Sequence, residues 1–384
     1  MKKKNLLKNQ AVQSLIASLL CILMGLLIGY IVLLFINPEG AGGAITAVVK
    51  NFLNSSRANL RLRNFGNTLV KTAPLLMCSL SVLFAYKVGL FNIGAAGQFV
   101  GGSAACLYAA LRLGWGWLPC LLLAIVVGGL MGAIVGLLKS YCNVNEVISG
   151  IMLNWIGLYT ANMVLTGVKE PTSPYTLHVA TEAPQAILPS LGMGEMFGSN
   201  KYVTIAIPLA VIFAVIIMVL LNKTKLGYEL KATGNNKHAA KYAGMAEKRN
   251  IILTLVIAGA LAAMGGAFLY LTDYEQWSCS QSSVPGMGFN GIAAAFLGGL
   301  NPIGCIFSSY FIQHITNGGA FVDLTKYSSQ ISDLISSLII YLCGFVLFIK
   351  YAINKGIAKS EEKQAQKEKA AADAAAGSGK GGEA

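Results

Sequence analysis

Apolar runs dominate this chain, and most are too long and too evenly apolar to be one face of a globular helix. Runs of about 20 apolar residues, enough to cross a hydrocarbon core, occupy roughly 14–36, 66–86, 117–138, 146–167, 202–222, 251–272 and 331–350. Shorter or interrupted runs lie near 97–112, 286–300 and 303–318. The pattern predicts an all-α, polytopic membrane protein of about ten transmembrane helices. Between the second long run and the first short one stands Gly89-Leu-Phe-Asn-Ile-Gly-Ala-Ala-Gly-Gln98. In lipid, irregular backbone survives only where protein or a water-filled cavity satisfies its freed groups. The stretch therefore predicts a broken or re-entrant segment, which either lines a transport route or packs closely, as glycine-rich membrane helices do.

Three regions follow from the runs. Residues 1–13 form a cytoplasmic N-terminal segment, 14–350 the membrane domain, and 351–384 a tail whose Ala, Lys, Glu and Gly content predicts disorder. Inside the membrane domain, 168–201 is a long outer loop and 223–250 a basic cytoplasmic loop. The first run follows Lys2, Lys3, Lys4 and Lys8 as a signal peptide would, but it is too long and lacks a small-residue cleavage site before Pro38, so it reads as an uncleaved span.

Composition agrees: of 384 residues 55% are hydrophobic and 12% charged, with a mean hydropathy of +0.62. The net charge of +13 is mostly topogenic. Lys2–Lys8, Lys223–Arg249 and the residues after Lys350 are Lys/Arg-rich, and ten spans place all three on one side, which the positive-inside rule makes cytoplasmic. Lys50, Arg57, Arg61 and Arg63 oppose this, since they fall outside in that topology, where 43–54 reads as an interfacial helix. Nothing resembles the aromatic-studded basic patch of a single-strand nucleic-acid binder.

Candidate chemistry is sparse. The eight cysteines form no CxxC pair, and most lie in apolar runs where cysteine behaves as a small hydrophobe; no disulfide and no metal site is expected. His178, His238 and His314 are dispersed, and His314 reads as a helix histidine bonded to a neighbour. Between Glu39 and Glu170 the only acid is Glu146, placed to complement the positive end of a helix dipole. An ion-coupled carrier would bury more ionisable groups, so the driving energy is expected from elsewhere. Gly377-Ser-Gly-Lys380 lacks the leading glycine and final hydroxyl of a P-loop, and no catalytic set is visible. The chain does not read as a self-contained enzyme.

In the basic loop, Gly234-Asn-Asn-Lys-His-Ala-Ala-Lys-Tyr-Ala-Gly244 predicts a short helix over Asn236–Ala243, capped by Asn235 and stopped by Gly244. Ala239 and Ala240 would form its small-residue face. Gly128, Gly132 and Gly136 have the small-xxx-small spacing of close helix packing.

Three stretches together, Phe91-Asn-Ile-Gly-Ala-Ala-Gly-Gln98, the Gly234–Gly244 loop and Gly288-Phe-Asn-Gly-Ile-Ala-Ala-Ala-Phe-Leu-Gly-Gly299-Leu-Asn-Pro302, resemble the permease subunits of ABC importers for simple sugars and nucleosides. A fourth, Asn145-Glu-Val-Ile-Ser-Gly-Ile-Met-Leu-Asn154, is similar to the nucleoside branch. The resemblance, over about residues 66–350, implies the ABC importer permease fold in the cytoplasmic membrane of a bacterium, with both termini cytoplasmic. It implies a coupling helix, with Gly234, Asn235, Asn236, Ala239, Ala240 and Gly244, seated on a separate ATPase that holds the ATP and Mg, so that this chain binds no cofactor. It further implies an extracellular substrate-binding lipoprotein, a second permease subunit, often non-identical, and a nucleoside as substrate; a simple sugar is the alternative, and a solitary carrier or channel the rival class. Departures are Ala96, where many relatives carry Glu, and Lys237 with His238, where Pro and Glu are common. A nucleoside needs an aromatic face and amide or hydroxyl groups in a mostly apolar cavity. Phe91, Asn92, Gln98, Asn154, Trp155 and Asn290 are the candidate pathway residues, while Tyr274, Trp277 and Phe289 suit the outer interface.

Overall fold

The computed structural model describes residues 10–323, 325–328, 330–345 and 348–356, with Ala358 and Gln366 alone beyond them. Most of the tail, and residues 1–9 of the N-terminal segment, thus lie outside the described residues. Along the chain run α1 (Gln10–Ile36), α2 (Ala41–Lys50), α3 (Ala58–Lys87), α4 (Ala95–Leu111), α5 (Trp117–Cys142) and α6 (Glu146–Leu165). The short α7 (Val179–Glu182) and α8 (Met193–Met196) precede α9 (Ala206–Lys223), α10 (Lys225–Asn235), α11 (Lys237–Tyr242) and α12 (Glu247–Tyr270). The last are α13 (Gly286–Leu297), α14 (Pro302–Gly318) and α15 (Ile331–Cys343). Six of these, α1, α3, α5, α6, α9 and α12, are long and apolar enough to cross a membrane. With the shorter α4, α13, α14 and α15 they account for the ten apolar runs, and only isolated β-bridges interrupt the helical pattern among the described residues.

Helix α12 is the centre, packed on α5, α3 and α4. Lipid tails are as apolar as leucine, so close van der Waals contact has to hold these helices together, and small residues permit it. A Cβ at Gly128 would strike the Gly259 carbonyl and the Ala263 side chain, and one at Gly132 the Leu255 carbonyl. At Gly136 it would come within 2.8 Å of the Ile252 Cα. The glycine spacing on α5 is therefore a backbone-to-backbone seam with α12. At the edge, α1 pairs with α15 by the same device, Gly25 against Ile339 and Gly29 against Ile335.

Helix α3 starts eight residues before its apolar run because its polar first turns are tied down: Arg61 Nε donates to the Ser55 carbonyl (2.6 Å) and Asn64 Nδ2 to Ser55 Oγ (2.9 Å). The expected helix over 43–54 appears as α2 with a 3-10 turn, Asn51–Asn54. His314 is bonded as expected: Nε2 meets the Val49 carbonyl (2.8 Å), so Nδ1 is left to accept from Asn51 Nδ2 or the Tyr310 hydroxyl, each 3.3 Å away. Glu146, in the first turn of α6, also pairs with Lys139 at the end of α5 (2.6 Å).

The 168–201 loop folds over the bundle end opposite α10 and α11. It is stitched to the segment after α12: the Leu188 amide donates to the Leu271 carbonyl (3.0 Å), the Val179 amide to Asp273 (3.0 Å), and Gln276 bridges Glu170 and the Thr176 carbonyl. Trp277 is not a surface aromatic. It is fully buried, and its indole N–H donates to Asn162 Oδ1 (2.9 Å).

Candidate functional site

The break is real, and it is built from three helices. Helix α3 stops at Lys87; Gly89 takes φ +76°, a left-handed backbone suited to glycine, and residues 88–94 run as coil before α4 begins at Ala95. The turn places the start of α4 deep in the bundle. Gln98 lies beside Gly259, half-way along α12, and Gly97 lies against Asn154, eight residues into α6.

Irregular backbone at this depth needs partners, and Asn154 supplies two. Its Oδ1 accepts from the Gly97 amide (2.7 Å) and its Nδ2 donates to the Ile93 carbonyl (3.0 Å), so one side chain from α6 caps α4 in trans and satisfies the loop before it. Asn92 then donates to Gln98 Oε1 (2.8 Å) and to Ser81 Oγ on α3 (2.9 Å). Asn92, Gln98 and Asn154 are 3%, 1% and 2% exposed. In this arrangement the amides close the break on itself, within one chain, while Phe91 packs half-buried beside them against the main core. Ser81 had no signal in the sequence, being one hydroxyl in an apolar run.

Two candidates lie elsewhere. Trp155 follows Asn154 but points about 100° round the helix; it is 45% exposed and stacks on Tyr159 (centroids 6.2 Å apart, planes at 24°), away from the amides. Asn290 sits half-buried in α13, whose Gly288 and Gly291 pack on Ala96 and Cys78. Ala96, one of the departures noted above, is itself buried, and a Cβ at Gly288 would overlap its backbone. A groove of about 600 Å³ lined by Tyr108, Arg112, Met163, Val164 and Gly167 lies at the far end of α4, and none of the six candidates lines it.

At the other end of the break lies the basic loop, more ordered than its sequence suggested. Thr224 caps α10 by accepting from the Gly227 amide (3.0 Å). Asn235 remains inside α10, and it is Asn236, with extended backbone, that caps α11, accepting from the amides of His238 (3.1 Å) and Ala239 (3.0 Å). The expected cap was therefore one residue early. Gly244, at φ +79°, ends the element as expected. Ala240 is buried and Ala239, about 100° round the helix, is exposed, so the two alanines do not form one buried face. Gly234 rests on the break itself: a Cβ there would overlap the Val88 carbonyl, and one at Gly89 would lie 2.8 Å from the Gly234 carbonyl oxygen.

The family described as branched-chain amino acid transport system, permease component, matches residues 64–344. The chain belongs to this permease family. Among its relatives, the nucleoside ABC transporter permease NupB of Lactococcus lactis is 31% identical over 361 residues, covering 91% of this chain and 96% of that protein. The guanosine ABC transporter permease NupP of Bacillus subtilis is 29% identical over 348 residues, 89% and 96% of the two chains. The glucose ABC transporter permease TsgB13 of Haloferax volcanii is 28% identical over 304 residues, 76% and 79%. No solved structure matches. The permease is thus a multi-pass membrane transport subunit, and its matched region runs from α3 to the end of α15.

Proposed function

We propose that this permease moves nucleosides into the cell by alternating access, as the membrane subunit of an ATP-driven importer. What carries the reading is likeness over about nine-tenths of its length to two permeases named for nucleoside and guanosine transport. The buried amide network at a broken helix supports it, because amides that pair with each other when closed are free to pair with ribose and base groups when the helices part. ATP and Mg belong to a separate ATPase seated on the α10–α11 face, and this chain binds no cofactor of its own. A second permease subunit, non-identical in the favoured reading, completes the pathway, and an extracellular binding lipoprotein delivers substrate. Both termini lie in the cytoplasm, and lipid surrounds the exposed apolar faces.

Uptake of radiolabelled uridine by cells expressing the complete importer tests this. Uptake is expected to stop when the ATPase loses its phosphate-binding lysine, and to be competed by other nucleosides but not by ribose. Competition by ribose or glucose alone moves the substrate to the sugars. Uptake that persists without ATP hydrolysis and follows a proton or sodium gradient replaces the importer with a solitary carrier.

A further inference from the structure

Lys71 stands inside a membrane span, in the apolar run of α3 that begins at residue 66. An ionisable residue there is expensive, and its partner points to what it is for. Its Nζ lies 2.8 Å from Glu275 Oε1 and 5.5 Å above the Tyr274 ring, which Tyr202 meets edge-on (centroids 5.1 Å apart, planes at 83°). Tyr274 and Glu275 belong to the segment between α12 and α13, turned by Asp273 at φ +56°. The pair is not a sealed core contact, since the two side chains are 25% and 38% exposed. It lies at the bundle end that carries the 168–201 loop, where Gly66 packs on Asn200 and Val203.

The same cluster stands beside the open start of α13. Gly291 packs on Cys78 and Phe296 on Tyr86 (centroids 5.2 Å apart), so α13 runs along α3 in the same direction. With an equal rise in both helices, this sets Gly286 within about one turn of the level of Lys71, and Lys71 and Cys78 share a face of α3. The exposed Gly286 and half-buried Asn290 therefore adjoin the charged pair.

One ammonium answers two acids here, because Asp333 on α15 also acts on Lys71. Apart from Lys71, Glu275 has no hydrogen-bond partner among the described residues, which leaves acceptor positions on its carboxylate open. A half-exposed ion pair adds little stability, so bracing does not account for charges placed at this depth. A carboxylate offers acceptors only, and its two oxygens match neighbouring hydroxyls, as an acid reads the ribose of a dinucleotide. A nucleoside presents such hydroxyls at its 2′ and 3′ positions.

We infer that Glu275 is the ribose-reading residue of this permease, accepting from the vicinal hydroxyls of a nucleoside before it reaches the break. Lys71 is a positioning residue: it holds the carboxylate in place and touches no substrate. Tyr274, fixed by Tyr202, gives the subsite an aromatic wall. The inference rests on the nucleoside reading above and adds to it a preference for ribonucleosides set by the permease itself.

The test uses the full chain in the purified importer with its ATPase, second permease and binding protein, reconstituted in vesicles, with the binding protein loaded with uridine or with 2′-deoxyuridine. In Glu275→Gln, uridine uptake is expected to fall by about tenfold or more, the loss of a hydrogen bond to a charged group. Uptake of 2′-deoxyuridine, which has one hydroxyl fewer to lose, falls less, and Lys71→Arg keeps the wild-type ratio of the two. The binding protein is the same throughout, so a changed ratio belongs to the permease. Equal falls for both nucleosides, or no fall for either, overturn the inference. A wild-type importer that takes ribose and neither nucleoside overturns instead the reading beneath it. If Glu275→Gln strands Lys71 and the complex does not assemble, Lys71→Gln combined with Glu275→Gln removes both charges together; a ratio kept at the wild-type value in that pair overturns the inference as well.

Discussion

Helices α4 and α13 both begin inside the bundle and touch where Ala96 meets Gly288, yet their first turns are finished in opposite ways. The start of α4 is saturated: Asn154 takes the Gly97 amide and the Ile93 carbonyl, and Asn92, Gln98 and Ser81 close on one another. The start of α13 has Pro285 before it and no side-chain cap, with Gly286 exposed and Phe289 39% exposed. One beginning is locked by its own chain, and the other is left for something else to meet. A glycine-rich interruption is thus not one kind of object; the partners decide whether it is a brace or a free end.

The largest effect expected from this contrast is at Asn154. Asn154→Ala leaves the buried Gly97 amide and the partly buried Ile93 carbonyl unpaired and should destabilise the detergent-purified chain by about 2–4 kcal/mol, seen as a large drop in thermal midpoint. Trp155→Ala, one residue on, should change it far less. Equal losses would end the distinction between brace and free face. Next comes Gly288→Ala, which forces α13 off Ala96 and should cost about 1–3 kcal/mol as overpacking. Ala96→Gly in the same chain should restore part of that, and full additivity of the two changes would show that the helices do not meet there. Asn92→Leu should cost roughly 1–2 kcal/mol by stripping Gln98 and Ser81 of a donor.

Smaller still is Asn290→Ala. Its thermal midpoint should move by no more than about 0.5 kcal/mol in stability, while uridine uptake falls; loss of stability with normal uptake would make Asn290 a packing residue and α13 no free end. The smallest effect concerns the 168–201 loop, which is stitched to the segment leading into α13. Hydrogen bonds from Ser173 and Gln276 hold the Glu170 carboxyl below the usual carboxylate range. A depressed folded value means that its contribution is present above the ordinary carboxylate pKa and is lost as pH falls through the lowered one. Protease sensitivity of the 168–201 loop should therefore rise on acidification, and Glu170→Gln should flatten that response. An unchanged acid response in the variant would remove Glu170 from the account.

Much of this was legible in the chain. Apolar runs gave all ten helical segments because length and evenness of apolarity are local properties, and the glycines with Asn92 and Gln98 marked the break for the same reason. The cap of α11 was misplaced by one residue because Asn235 and Asn236 are chemically identical, and only the length of α10, itself not anticipated, separates them. From sequence, Asn154 reads only as a candidate pathway residue. Its bonds to Gly97 and Ile93 span 57 and 61 residues of sequence, and no local pattern encodes such partners. Trp155 was grouped with it by adjacency, although the buried face of α6, through Gly150, Asn154, Gly157, Leu158 and Ala161, leaves Trp155 on the other side.

The glycine seam between α5 and α12 has a mechanical corollary. With Gly128, Gly132 and Gly136 each lodged against α12 main chain or side chain, neither rod can slip lengthwise by one residue without driving a carbonyl into its neighbour. Amides from Leu255 to Ala263 should accordingly be the last in the molecule to exchange their hydrogens with solvent.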